Sequence, residues 1–203
     1  MQSQLPPSYG QPSHTPPAGN RIPASTAAPF PSLDLLGTTD FADLGGEPLY
    51  IGSALMGTKS VQPCKVAPHL SPVCRVPYGG GSARRVSYDG VAWVVRRQRG
   101  AHTDATLDWH LPLPAAQGRY DILPITSAME WVHASNGELP KGRRPVEGGF
   151  EEDGNHLFHA LVPVREHEIM VPGKTGPHLH AAHAAWGGGE LVVKEGYQIL
   201  CWR

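Results

Sequence analysis

The stretch DLGGEPLYIGSALMGTKSVQPCK at residues 43–65 has a counterpart later in the chain, EEDGNHLFHALVPVREHEIMVPGK at residues 151–174. In both stretches an aromatic strand residue lies seven positions after an acid, which is Asp43 in the first and Glu151 in the second. Both stretches end on a proline, a small residue and a lysine, 22 or 23 residues after the acid, and each of these segments is predicted to be a turn. This correspondence predicts an internal repeat, which decides the fold.

Two further pairs of landmarks follow in the same order. Tyr78 precedes three glycines, as Trp186 does, and Tyr120 and Tyr197 each begin a four-residue Tyr-x-Ile-Leu segment. The first three pairs of landmarks are offset by 108 or 109 residues and the last by 77. The first copy is therefore predicted to carry an insertion of about 31 residues, within residues 82–117.

Short apolar runs separated by turn residues predict an all-β fold. The chain has 24 glycines and 21 prolines, and no long apolar stripe of helical period is present. Strands are predicted at 47–52, 156–164, 191–193 and 197–202. The Asp89-Gly90 and Asn136-Gly137 pairs predict hairpin turns, the first within 84–97. Ser127 and Glu130 fit either a helix capping box or the start of a strand.

These patterns predict two pseudo-equivalent antiparallel β modules packed together. The first spans 33–125 with its insertion, and the second spans 126–203. Residues 1–32 are rich in proline and poor in large apolar side chains, so they are predicted to form a disordered tail. Tyr120 and Tyr197 are expected in the core, and the glycine triplets in turns or bulges.

Charge and composition exclude several classes of partner. Charged residues make up 17% of the chain and the formal net charge is −1, so neither nucleic acid nor an anionic membrane is expected as a partner. No apolar run approaches the ~20 residues of a membrane helix, and no membrane insertion is expected. The first residues lack the features of a secretory signal. With three cysteines expected as free thiols, the location predicted is cytoplasmic, or outside the cell by a non-classical route.

The landmarks resemble those of the DM-nine repeat family. The second copy carries Trp131-Val132, Ser135-Asn136-Gly137, Pro140, Gly148-Gly149-Phe150-Glu151, Asp153-Gly154, Leu157-Phe158, Pro172-Gly173-Lys174 and Tyr197. The first copy carries Leu49-Tyr50-Ile51-Gly52, Pro63-Cys64-Lys65, Tyr78-Gly79-Gly80 and Tyr120, without a clear Trp-Val start. Tandem members of the family include mollusc lectins that bind mannose and the front region of fish toxins of the natterin type.

The resemblance implies sugar binding by an acid and a lysine in each copy. Carried over to this chain, the pairs are Asp43 with Lys65 and Glu151 with Lys174. Glu151 departs from the aspartate of the family. A carboxylate accepts and a lysine donates hydrogen bonds to vicinal hydroxyls, so mannose-type glycans are the expected partners and no cofactor or metal is required. Tyr78 or Trp186 can cover the apolar face of the sugar, and Glu190 completes the predicted set.

Two alternatives to sugar binding remain open from the sequence alone. Each acid–lysine pair can be a surface salt bridge, which leaves an interaction module without sugar binding. His178, His180 and His183, followed by Glu190, have the spacing of metal ligands on a β-barrel and suggest a cupin-like metalloenzyme. No nucleophile–base arrangement is present, so a binding protein rather than an enzyme is predicted. Assembly into a homodimer is left open.

Overall fold

A computed structural model describes residues 18–56, 60–78, 92–95 and 118–203. Its strands are β1 (Ile22–Ser25), β2 (Tyr50–Leu55), β3 (Val61–Val66), β4 (Cys74–Tyr78), β5 (Ala92–Val95), β6 (Arg119–Ile122), β7 (Met129–Ser135), β8 (Arg144–Pro145), β9 (Glu147–Phe150), β10 (His156–Val164), β11 (Ile169–Thr175), β12 (Ala182–Trp186), β13 (Gly189–Val193) and β14 (Glu195–Trp202). A short helix, α1, spans Leu33–Leu36, and 3-10 turns span Arg165–His167 and Pro177–Leu179. These strands form one sheet that is antiparallel except between β4 and β5, which confirms the all-β class. Within the described ranges no helix has the length and apolar character needed to cross a membrane.

Strand pairing follows the same series in the two halves of the described chain. In the first half β1 pairs with β6, β6 with β2, β2 with β3, and β3 with β4. In the second half β7, β14, β10, β11 and β12 pair in that same order. Lys65 lies opposite Arg75 and Lys174 lies opposite His183, so the two lysines share one register. The two halves belong to one continuous sheet, because β3 also pairs with β9. The duplication, with its boundary at 125/126, stays a prediction.

The predicted proline–lysine turns are wrong, because both lie inside strands. Pro63 pairs with Ser53 in β2, and Pro172 pairs with Leu161 in β10. Proline lacks only the amide hydrogen, and here pairing with strands on both sides outweighs its local preference for a turn. The two lysines that follow these prolines are consequently buried rather than exposed.

The Asn136-Gly137 pair forms a turn, but the predicted hairpin is wrong. Both residues have positive φ, 55° and 78°. The preceding strand β7 pairs with the distant β14, and β8, the strand that follows the turn, pairs with β14 as well. The Gly137 amide donates a hydrogen bond of 2.8 Å to the Tyr197 hydroxyl, so a contact with β14 holds the turn.

Most of the other predicted strands are present. The runs at 156–164, 191–193 and 197–202 lie in β10, β13 and β14, and the run at 47–52 becomes β2 from Tyr50 onward. The open choice at Ser127 resolves to a strand, since β7 begins at Met129. The Asp89-Gly90 turn and most of the predicted insertion lie outside the described residues.

Two hydrophobic clusters form the core: the first is built from the first half alone, and the second combines residues of both halves, such as Leu49 and Ile199. Tyr120 belongs to the first cluster and Tyr197 to the second, which confirms that both are core residues. Gly187 and Gly188 join β12 to β13 with φ of 58° and 73°, so this triplet makes the predicted tight turn. A two-residue loop with both residues at positive φ fits the twist of the strands that it joins.

The three cysteines are all buried free thiols. The Cys74 thiol donates to the Cys64 sulfur at 3.0 Å, inside the first cluster. Burial raises the pKa of Cys64 well above its ordinary value. The Cys64 thiolate is therefore disfavoured, and Cys64 is a packing residue rather than a nucleophile.

The predicted disordered tail is wrong from residue 18 onward, because Ile22–Ser25 form β1 on the edge of β6. Arg21 anchors this strand to both halves. Its guanidinium donates to the Ala18 carbonyl, the Ser53 hydroxyl, the Asp121 carboxylate, the Glu147 carbonyl and His159 Nε2, at 2.7 to 2.9 Å. Composition does not reveal such contacts, since they join residues up to 138 positions apart. Residues 1–17 lie outside the described part of the chain.

His159 must stay neutral to take its place in this network. A guanidinium only donates, so the fully buried His159 accepts at Nε2 and carries its proton on Nδ1. Burial, and then the Arg21 charge, lower the pKa of His159 well below its ordinary value.

We therefore expect the free energy of unfolding to fall as the pH drops below about 6.5, where the unfolded chain takes up a proton that the folded chain refuses. The His159 share is roughly 1 kcal/mol per pH unit, down to the folded pKa. His159→Gln keeps an acceptor for Arg21 and should remove this share of the slope, measured by urea unfolding between pH 4.5 and 8. The control is His156→Gln, at an exposed position of the same strand. An unchanged slope in His159→Gln would show that this imidazole does not couple to folding.

Candidate functional site

The two predicted acids lie in separate backbone turns that have the same hydrogen bonds. The Asp43 amide donates to the Glu47 carbonyl at 2.9 Å, and the Glu151 amide donates to the Asn155 carbonyl at 2.9 Å. In each turn the carbonyl of the acid accepts a bond from the amide of a glycine three residues later. The matching sequence offsets therefore correspond to matching backbone geometry, which presents both carboxylates just before a strand.

The two predicted lysines are buried on central strands. Lys65 on β3 is 4% exposed and Lys174 on β11 is 3% exposed. Burial lowers the pKa of each, and the acid of the same half, Asp43 or Glu151, opposes that shift. Arg75 adds to the lowering at Lys65. Each lysine therefore lies in the field of its predicted acid, but only one of the two pairs is in contact.

At the first site, the lysine lies against an aromatic ring from the other half. The Lys65 ammonium is 5.1 Å from the centre of the Trp186 ring, a cation–π contact. Among the described residues, no hydrogen-bond acceptor or carboxylate contacts Lys65 Nζ. Asp43 instead accepts a bond from the Leu44 amide and approaches His69 Nε2 at 3.5 Å. Within the described part of the chain, therefore, no protein acceptor occupies the donor hydrogens of this ammonium.

At the second site, the lysine is held inside a closed ring of hydrogen bonds. Lys174 Nζ donates to Glu151 Oε1 at 3.1 Å and to Gln62 Oε1 at 2.6 Å. Gln62 Nε2 donates back to Glu151 Oε2 at 2.7 Å. Gln62 is fully buried and comes from β3 of the first half. The acid–lysine pair predicted here does make contact, with a third residue that the sequence did not suggest.

A histidine accompanies each acid. His69 approaches Asp43 at 3.5 Å, and His178 approaches Glu151 at 3.9 Å between Nε2 and a carboxylate oxygen. Their numbers differ by 109, the offset of the proline–lysine landmark, so the repeat contained a signal for His69. For Gln62 no such signal existed, because the register places Val171 at the equivalent position.

The remaining predicted residues are partly assembled. Glu190 accepts a bond from His183 Nδ1 at 3.0 Å, and its charge raises the pKa of Lys174. Trp186 also lines a cavity of about 220 Å³ together with Val164 and Leu191. The side chain of Tyr78 lies outside the described part of the structure.

The candidate metal ligands do not converge. His178 lies in a 3-10 turn, His180 follows it at positive φ, and His183 lies on β12. No group of three or more histidine, cysteine or carboxylate side chains within the described ranges can hold a metal ion. The Nε2 atoms of His178 and His183 are buried without a hydrogen-bond partner. The geometry in the described residues therefore offers no support for the cupin-like alternative.

Comparison with known families identifies one segment. Residues 113–170 match the family model described as DM9 repeat, which confirms the resemblance over less than half of the chain. The matched segment includes the Trp131-Val132 strand and the acid Glu151, and it ends before Lys174. A search of curated proteins found no match.

Proposed function

We propose that this chain, which carries a DM9 repeat at residues 113–170, is a binding protein for neutral hexoses of mannose-type glycans and needs neither metal nor catalysis. The observation that carries the proposal is the first site. There, the Lys65 ammonium lies 5.1 Å from the Trp186 ring, and no acceptor among the described residues contacts it. Burial lowers the pKa of this lysine, and Asp43 lies close enough to oppose that shift without making an ion pair with it.

The chemistry of a hexose suits this arrangement. Its vicinal hydroxyls can accept from Lys65 and donate to Asp43, and bonds to charged groups are roughly twice as strong as neutral ones. The apolar face of the ring can stack on Trp186, which borders the cavity beside Val164 and Leu191. A neutral ligand also agrees with the formal net charge of −1, which provides no general attraction for polyanions.

Titration calorimetry with mannose and mannobiose tests the proposal. Binding should survive EDTA at neutral pH, because an acid, a lysine and an aromatic ring supply all the contacts. The matched control is His180→Asn, which removes one candidate metal ligand and keeps a residue that tolerates positive φ. It should bind as the wild type does. Loss of binding in EDTA with recovery in zinc or calcium would instead favour the histidines.

An interaction module without sugar binding is the second candidate, favoured by an exposed apolar row. Leu55, Val61 and Phe150 are opposite one another on β2, β3 and β9, so their side chains share one face of the sheet. Leu55 and Phe150 are each 42% exposed. If the wild type binds no member of a broad glycan panel, this candidate replaces the first.

A further inference from the structure

Gln62 is the feature that distinguishes the two acid–lysine sites. Its amide oxygen accepts from Lys174 at 2.6 Å, and its amide nitrogen donates to Glu151 at 2.7 Å. A side chain from the first half thus occupies one donor of the lysine and one oxygen of the carboxylate in the second half. These are the groups that vicinal sugar hydroxyls would use.

The first site lacks an equivalent of this amide. Gln62 lies opposite Ala54, and Val171 lies opposite Val162 at the corresponding register of the second half. Both residues are fully buried, so the two positions differ in hydrogen-bonding capacity rather than in access to solvent. A valine side chain cannot accept from an ammonium or donate to a carboxylate.

We propose that Gln62 keeps the second site closed to sugar, so that the protein binds hexose at the Lys65 site and not at the Lys174 site. This inference rests on the proposed function. At the first site a hydroxyl gains a bond to Lys65 without displacing a protein acceptor. At the second site it must displace Gln62 from Lys174 or Glu151, so that the bond gained replaces a bond lost.

The same reasoning explains why Glu151 need not abolish binding at the second site. The longer side chain still places its two oxygens within 2.7 and 3.1 Å of Gln62 and Lys174. The carboxylate thus reaches its lysine, but an internal amide already occupies one of its oxygens. Gln62 is therefore a residue that determines selectivity between the sites, and it is not itself expected to contact sugar.

The test measures mannobiose binding to the full chain by titration calorimetry, in a Lys65→Met background that silences the first site. Adding Gln62→Val, which copies the valine of the other half, should raise affinity at the second site by roughly tenfold or more, the factor of one hydrogen bond to a charged group. Adding Lys174→Met to that double variant should abolish the gain. In the variant with Gln62→Val alone, the stoichiometry should rise from one sugar per chain to two.

A second variant at position 62 keeps the outcomes separate. Gln62→Met fills the buried volume without an amide and replaces Gln62→Val if the shorter side chain prevents folding. If the wild type binds sugar but neither Gln62 variant binds in the Lys65→Met background, the closure is overturned and the proposed function stands. Weaker binding at the second site after either substitution would also overturn it, since Gln62 would then position the lysine. If no protein in the series binds, the proposed function fails and the closure fails with it.

Discussion

Replacing Arg21 by Met should lower the free energy of unfolding by roughly 3–5 kcal/mol, the cost of removing one partner from a buried ion pair. The Arg21 side chain is 14% exposed and pairs with Asp121 at 2.7 Å. Its loss leaves that carboxylate, the Glu147 carbonyl and His159 Nε2 without their shared donor. Asp121 is 27% exposed, and water can solvate part of the unpaired charge, which favours the lower end of the range.

Urea unfolding followed by circular dichroism measures this effect. The matched control is Arg119→Met, at an exposed position of the neighbouring β6, which should change stability by less than about 1 kcal/mol. Arg21→Lys keeps the charge but offers fewer donors in another geometry, so it should fall between the wild type and Arg21→Met. Removing residues 1–32 should be at least as damaging as Arg21→Met, because it also deletes β1. If Arg21→Met unfolds at the same urea concentration as the wild type, this network does not hold β1 in place.

Lys65→Met should weaken sugar binding by roughly 10- to 150-fold, the range of one hydrogen bond to a charged group. The substitution removes the Lys65 ammonium and keeps an unbranched side chain to fill its volume. Stability should stay level or rise slightly, because the change removes a desolvated charge that no described acceptor contacts. A change in binding without a loss of stability would identify Lys65 as a binding residue rather than a packing residue.

Lys174→Met is the matched control, because it alters the same register of the other half. The Lys174→Met variant should bind sugar nearly as well as the wild type does. Its free energy of unfolding should fall by about 1–3 kcal/mol, because Glu151 and Gln62 lose the donor that they share. Titration and urea unfolding of both variants separate the two roles. Equal binding by the wild type and Lys65→Met would show that the first site is wrongly assigned.

Local patterns in the sequence were sufficient for several of the strands and for the equivalence of the two acids. The run at 156–164 becomes β10 because its apolar and β-branched residues suit a strand buried in the sheet. Gly187 and Gly188 make their turn because a two-residue loop at positive φ strongly favours glycine. The repeated offset predicted equivalent positions for Asp43 and Glu151. In the structure both residues lie in turns with the same hydrogen bonds.

Patterns also failed where pairing with distant strands overrode local preference. Pro63 and Pro172 carry a turn signal, yet each lies within a strand between two others. Residues 18–32 have the composition of a tail, yet Arg21 joins them to Asp121 and His159. Local composition measures how much surface a segment can bury by itself, and it does not register a single side chain that satisfies several distant acceptors.

The sequence by itself determined the β class, the repeat landmarks and the residue types of the two candidate sites, because these depend on local periodicity and on fixed offsets along the chain. Only the tertiary structure decided which partners complete each site. Trp186 reaches Lys65 across 121 positions of sequence, and Gln62 reaches Lys174 across 112. Such contacts arise from packing the halves into one sheet, where the strands of one half supply side chains to the lysine of the other. The difference between the two lysines therefore depends on that packing, because it brings Gln62, three residues before Lys65, into contact with the lysine of the other half.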